Sequence, residues 1–242
     1  VLSDDGTTHD VVVTITGTND APVATDDVQG TTENAVLNSS VPVPTDVDGT
    51  IDPNGYLIGG TNVAEGSLTF NADGTYSFDP GTDFDDLDLA ATRDVNFTYT
   101  ALDNNGLQSA EQTITITVTG TNDGPVATDD TAATTENATV TIDVLGNDSD
   151  VDGGTLSVTD ATVGEGQGSV TINEDGTVSL DPGSDFEGLA AGETQQVEIT
   201  YTISDGQGGT DTATATVTVT GGNDGPVATD DSLSGTEDQP IN

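Results

Sequence analysis

Thr113-Ile-Thr-Ile-Thr-Val-Thr-Gly-Thr-Asn-Asp-Gly-Pro-Val-Ala-Thr-Asp-Asp130 holds both features on which the fold turns. In its first half Ile114, Ile116 and Val118 alternate with Thr113, Thr115, Thr117 and Thr119. Period-two alternation in a β-branched run describes a strand with one face turned to a core. Its second half, from Gly120, is a carboxylate-rich segment containing a proline. The chain writes this segment three times, at 17–27, 120–130 and 221–231, at intervals of 103 and 101 residues. A segment recurring at domain-sized spacing marks the junctions of a tandem array.

Working outward, the array resolves into two full repeats. Residues 17–35 and 120–138 agree at 15 of 19 positions. Gly66-Ser-Leu-Thr-Phe-Asn-Ala-Asp-Gly-Thr-Tyr-Ser-Phe-Asp-Pro80 parallels Gly168-Ser-Val-Thr-Ile-Asn-Glu-Asp-Gly-Thr-Val-Ser-Leu-Asp-Pro182. The expected boundaries are 18–120 and 121–221. Residues 1–17 resemble the closing strand of a preceding repeat, and 222–242 the opening of a following one. Further alternation runs through Val95, Phe97, Tyr99 and Ala101, through Val197, Ile199, Tyr201 and Ile203, and through Ala213, Ala215, Val217 and Val219. Leu68–Phe70 and Tyr76–Phe78 flank Asn71-Ala-Asp-Gly74, a hairpin turn. No helical periodicity of useful length appears. About seven short strands per repeat predict an all-β chain of Greek-key β-sandwich domains arranged head to tail. Tyr99 and Tyr201 are expected in the cores, each with its hydroxyl hydrogen-bonded.

Composition narrows the function. The 242 residues carry 44 Asp plus Glu against one basic residue, Arg93, for a formal net charge of −43. Such a surface repels nucleic acid and anionic membranes. No apolar run approaches the roughly 18–20 residues of a membrane span, so no membrane insertion is expected. Without Cys or Lys, neither a disulfide nor a Lys–Asn isopeptide bond can brace the fold. With no Met or Trp and nine Phe plus Tyr, the cores are expected to rest on Val, Ile, Leu, Ala and Thr. Cores of this kind in domains of about 100 residues are marginal, which leaves bound ions as the available brace. Clustered carboxylates also call for a cation, because two unit charges about 4 Å apart repel by about 4 kcal/mol at an effective dielectric near 20.

The sharpest acidic loop is Asp148-Ser-Asp150-Val-Asp152-Gly153. Oxygen ligands at alternate positions before a turn-forming glycine suit calcium, which takes about 6–8 oxygens. The loop follows the first six positions of an EF-hand loop, then departs: Thr159 stands where the closing Glu would be, and the flanks read as strands. The first repeat has Asp46-Val-Asp48-Gly49 at the equivalent place, with Pro44 instead of the first Asp. An acidic β-turn without an ion is the alternative reading.

Asp-x-Asp after a strand, then Ala101-Leu-Asp-Asn-Asn-Gly106 or Ile203-Ser-Asp-Gly-Gln-Gly208, then alternating Thr and Val, then Asn-Asp-(Ala/Gly)-Pro, resembles a cadherin repeat. Val144-Leu-Gly-Asn-Asp-Ser-Asp-Val-Asp-Gly153 and the Thr-Val-Thr-Gly-(Thr/Gly)-Asn-Asp endings look like the VCBS-type, cadherin-like and Ig-like repeats of large secreted bacterial adhesins of the RTX type. The resemblance spans essentially the whole chain. It implies calcium bound between successive domains. Carried over, the joint at 120–125 takes Asn122 and Asp123 from the linker, Asp150, Asp152 and Asp205 from the following repeat, and Glu33 from the preceding one. The joint at 17–22 takes Asn19, Asp20, Asp46, Asp48 and Asp103. The joint at 221–226 takes Asn223, Asp224 and Glu136. The chain departs from the cadherin pattern at Gly17, Gly120 and Gly221, where cadherin linkers begin with Asp. It lacks the mid-domain Asp-Arg-Glu motif, with Asp85, Asp86 and Glu187 nearest its place, and Asp26, Asp27, Asp129 and Asp130 have no counterpart.

Catalytic residue types are scarce. His9 is read as a strand-surface residue and Arg93 as a surface charge or local ion pair. The acidic loops recur in both repeats, whereas active sites are seldom tandemly repeated, so no enzyme is expected. The favoured reading is a non-catalytic, calcium-binding extender on the bacterial surface or in the extracellular matrix, its partners being neighbouring repeats of the same long chain. The alternatives are a calcium-dependent module binding polysaccharide or another surface, and a self-assembling filament or biofilm matrix protein that contacts other copies of itself.

Overall fold

The computed structural model describes residues 4, 6, 8, 10–60, 63–226 and 228–232. It divides into two compact units, 1–121 and 122–242. His9 and residues 233–242 lie outside the described residues.

Unit 1 carries seven strands: β1 (Asp27–Thr32), β2 (Leu37–Ser40), β3 (Ile51–Ile58), β4 (Ser67–Phe70), β5 (Thr75–Asp79), β6 (Thr92–Asp103) and β7 (Gln112–Thr119). Unit 2 repeats them as β8 (Asp130–Thr135), β9 (Val140–Ile142), β10 (Ser157–Thr162), β11 (Ser169–Ile172), β12 (Val178–Asp181), β13 (Thr194–Ser204) and β14 (Thr210–Thr220). In unit 1 one sheet has the order β1-β7-β6-β3 and the other β2-β5-β4. Unit 2 has β8-β14-β13-β10 and β9-β12-β11, the same topology. The described residues contain no helix.

The alternation read from the sequence is the alternation of burial. Ile114, Ile116 and Val118 are fully buried, while the threonines between them are half-buried on the outer face. The long hairpins β6–β7 and β13–β14 form the centre of each large sheet. The first strand of each unit pairs in parallel with the last, Asp27 opposite Ile114 and Asp130 opposite Ala215. The Asn71–Gly74 turn joins β4 to β5 as expected: Asn71 N donates to Thr75 O at 2.9 Å, and Gly74 sits at φ +83°, open to a residue without a Cβ.

Asp26 and Asp129, unassigned in the sequence, start the parallel pairing. Asp26 Oδ1 accepts from Thr113 N at 2.7 Å, and Asp129 Oδ1 from Thr214 N at 2.9 Å. Each ties the residue before the opening strand to the closing one.

The expectation that the cores rest on Val, Ile, Leu, Ala and Thr holds for unit 2 better than for unit 1. The core of unit 1 contains Tyr56, Tyr76, Phe78, Phe84, Phe97 and Tyr99. Phe97 meets Tyr76 edge-to-face at 5.0 Å and Phe70 at 5.9 Å. The core of unit 2 has two aromatics, Phe186 and Tyr201, among Val, Ile, Leu and Ala. Total aromatic content hid this partition, because most of the rings fall in one repeat. Tyr99 and Tyr201 are buried as expected, donating to Thr25 O and Thr128 O at 2.9 Å each.

Candidate functional site

The carboxylates singled out above gather at the ends of each unit. At the start of unit 2, Asn122 Nδ2 donates to Asp205 Oδ2 at 2.8 Å, and Asp123 N donates to Asp152 Oδ2 at 2.8 Å. The linker is thus fastened to two loops of the sandwich. The first loop follows β9 and turns on itself, Asp152 N donating to Asp150 Oδ1 at 3.0 Å. The second joins β13 to β14, where Asp205 Oδ1 accepts from Gln207, Gly208 and Gly209 N at 2.7–3.0 Å. The Asn122 amide holds the Asp205 carboxyl below the usual carboxylate range; burial opposes this, and the three backbone donors reinforce it.

The start of unit 1 follows the same plan. Asn19 Nδ2 donates to Asp103 Oδ2, Asp20 N lies 3.3 Å from both Asp48 oxygens, and Gly49 N donates to Asp46 Oδ1 at 3.0 Å. Asp103 Oδ1 accepts from Asn105 N and Leu107 N at 2.8 Å each. Burial pushes the Asp103 carboxyl up, but the Asn19 amide and the N–H groups of Leu107, Asn105 and Gly106 outweigh it and leave the group lowered. Asn105 Nδ2 also donates to Asn19 Oδ1, a tie with no equivalent in unit 2.

At the far end of each unit stands a buried glutamate. Glu33 is 1% exposed and its Oε1 accepts from both Thr121 N and Thr121 Oγ1. Glu136, also 1% exposed, accepts from Gly222 N at 2.6 Å. Thr121 was not among the residues read from the sequence; only the repetition of Thr in Gly-Thr-Asn-Asp pointed to it. Asn223 and Asp224 follow Gly222 as exposed residues.

These ends share a telling deficit. Glu33 Oε2, Asp46 Oδ2, Asn122 Oδ1, Glu136 Oε2, Asp150 Oδ2 and Asp152 Oδ1 are buried and have no hydrogen-bond partner. An unpaired buried polar atom costs about 1–3 kcal/mol, and more when charged. Each of the five carboxylates has one oxygen held by the protein and the other free, and Asn122 has its Nδ2 held and its Oδ1 free. Among the described residues no group of three or more carboxylate or imidazole side chains stands in metal-holding geometry. Each unit therefore offers a partial set of oxygens, with amide and backbone groups beside the carboxylates.

Asp148 departs from the loop pattern. Its Oδ1 accepts from Thr128 N at 2.8 Å, and the group lies beside Tyr201 instead of the Asn122 cluster. This explains why Pro44 can replace it in unit 1. Asp86, nearest the place of the missing mid-domain motif, is taken by Arg93, which also pairs with Glu65 and lies 5.5 Å over the Phe84 ring. Arg93 is therefore a local ion pair, as read.

Residues 19–120 match the family model of a bacterial cadherin-like domain, and residues 122–218 that of a bacterial Ig domain. Human protocadherin-24 EC1-2 aligns at a TM-score of 0.52 and 17% identity, over 84% of this chain and 100% of that one. Human mucin-like protocadherin EC1-2 aligns at 0.50 and 13%, over 81% and 96%. At these identities the likeness is one of fold. No curated protein matches the chain. The chain is a tandem of two all-β sandwich domains, cadherin-like in its first half and Ig-like in its second.

Proposed function

We propose that the chain is a non-catalytic, calcium-binding extender segment of a large bacterial surface adhesin of the RTX type, with calcium at the joints between its domains. One observation carries this reading. Among the described residues, six of the eight buried side-chain oxygens without partners belong to residues that the repeat pattern assigns to the joints: Glu33, Asp46, Asn122, Glu136, Asp150 and Asp152; the other two are Tyr76 Oη and Asp148 Oδ2. Hard oxygen donors with one side already fixed by the protein suit a hard divalent cation. Thr121, which holds Glu33 in one unit, and Asn122, which opens the cluster of the other, are consecutive in the sequence. With calcium, carboxylates of neighbouring domains share one charge and the linker stiffens. Without it, they repel.

Bacterial domains of the two matched types are typically extracellular or surface-exposed, which supports that location. Among the described residues no helix is long and apolar enough to cross a membrane.

Calcium titration tests the proposal. Extracellular modules hold calcium with dissociation constants of about 10⁻⁴–10⁻³ M, and a site at 100 times its dissociation constant gains about 2.7 kcal/mol. Millimolar calcium should raise the melting temperature, excess chelator should reverse the rise, and Asp150→Asn with Asp152→Asn should remove most of it. An unchanged melting curve across that range would refute the proposal. Small-angle scattering should show a longer maximum dimension with calcium than with chelator.

A further inference from the structure

The chain contains two Asn-Gly pairs, Asn54-Gly55 and Asn105-Gly106, both in unit 1. In such a pair the backbone nitrogen of the glycine can attack the Asn side-chain carbonyl carbon. The N–Cγ bond forms, ammonia leaves and a succinimide ring results. Water then opens the ring to aspartate or isoaspartate. Glycine favours the reaction because it has no side chain to hinder the attack and turns freely.

At Asn105 both reacting groups are engaged. Gly106 N donates to Asp103 O at 3.1 Å, so the nucleophile is committed to the turn. The Asn105 amide, which carries the leaving ammonia, is held by Asn19 Oδ1. Asn105 N and Leu107 N are both fixed on Asp103 Oδ1. Yet Asn105 itself is exposed, and Gly106 has open space around it at φ +86°. The clasp between linker and loop and the turn bonds to Asp103 hold this pair back from the reaction. In unit 2 the place of Asn105 is taken by Gln207, whose longer side chain would have to close a slower six-membered ring.

We propose that Asn105 is a deamidation site gated by the Asn19 clasp, which confines this irreversible change to the cluster of unit 1. Opening the clasp frees the Asn105 amide and leaves Gly106 N held by the Asp103 carbonyl alone. The product then keeps the clasp open, because a carboxylate at 105 has no proton to donate to Asn19 Oδ1. The isoaspartyl form also inserts a methylene into a loop whose three successive N–H groups are fixed on Asp103. The unit 1 cluster thereby gains a negative charge and loses the Asn105–Asn19 tie, while unit 2 is unaffected.

Peptide mapping by mass spectrometry during incubation of the whole chain at mildly alkaline pH tests this. Four conditions are compared: the chain with calcium, the chain with chelator, Asn19→Ala with calcium, and the chain unfolded in urea. Asn105 should convert slowly in the first and several-fold faster in Asn19→Ala and in urea, with Gln207 unchanged throughout. Asn54 serves as the folding control: an unaltered Asn54 rate in Asn19→Ala shows that unit 1 is still folded. If Asn19→Ala destabilises unit 1, so that Asn54 accelerates too, Asn19→Ser is used, and it must accelerate Asn105 alone. No acceleration on losing the clasp, or no conversion of Asn105 even in urea, overturns the proposal. The chelator arm rests on the calcium reading: acceleration by Asn19→Ala but not by chelator retains the gate and rejects calcium at that cluster.

Discussion

Phe97 in β6 and Ile199 in β13 occupy the same place in the two sandwiches, yet one stands opposite Ile114 and the other opposite Ala215. Unit 1 fills its interior with rings, and unit 2 fills the same space with short aliphatic chains. The contrast continues at the buried tyrosines. Tyr99 faces two backbone carbonyls, Thr25 O at 2.9 Å and Pro42 O at 3.5 Å. Tyr201 donates into a group of three acceptors, Thr128 O, Asp130 Oδ2 and Val144 O, with a single proton to share. Two sequences with one topology have thus met the need for a compact interior in different ways. Unit 1 relies on aromatic packing, while unit 2 carries a polar, acidic cluster beside its core.

The largest test of that contrast is truncation at the shared place. Phe97→Ala should cost about 4 kcal/mol and Ile199→Ala about 3 kcal/mol, measured by urea unfolding with each unit followed separately. Equal losses would remove the distinction between the cores.

The next test concerns acidity. Burial raises the Asp130 carboxyl above its ordinary value; the Tyr201 hydroxyl opposes this, and the charges of Asp148, Asp143 and Asp129 add to the rise. Asp148 is raised too, first by burial and then by Asp211, against the Thr128 N–H. A carboxyl raised in the folded state stabilises the fold fully below its unfolded value, about 3.9. That contribution is lost as pH climbs through the folded value. Asp205 and Asp103 act in the opposite sense: their lowered values stabilise the fold above the unfolded range and fail as pH falls through the folded ones. Asp130→Asn should therefore raise the melting temperature of unit 2 at neutral pH and flatten its fall above about pH 4. An unchanged pH profile would reject the reading. Smaller again is Tyr99→Phe, which leaves Thr25 O without its donor and should cost about 1 kcal/mol. The smallest effect expected is from Arg93→Ala, since its ion pairs are solvent-screened. It should lower the melting temperature of unit 1 slightly, and less so in high salt.

The strands were legible because Thr alternates with Val and Ile over whole elements, and the hairpin because Asn-Ala-Asp-Gly has one comfortable conformation. The ties between each Asn-Asp linker and the loops of its own unit were legible because their residues recur at domain spacing. Other features depended on long-range register. The chain order of Asp148, Asp150 and Asp152 suggests three ligands for one ion, but the backbone turns the first toward Tyr201. Asp26 and Asp129 have meaning only once the opening strand lies parallel to the closing one. The Asn19–Asn105 clasp joins residues that are 86 positions apart.

The parallel pairing of β1 with β7, and of β8 with β14, has a mechanical consequence. The chain enters a sandwich at the start of its first strand and leaves at the end of its last, and these strands run side by side in one direction. Tension along the polypeptide drags the two strands past each other lengthwise. All the hydrogen bonds between them then bear load together, instead of opening one at a time as in a hairpin pulled from its ends. Each domain resists pulling as a lap joint does, with Asp26 and Asp129 pinning one end of the overlap.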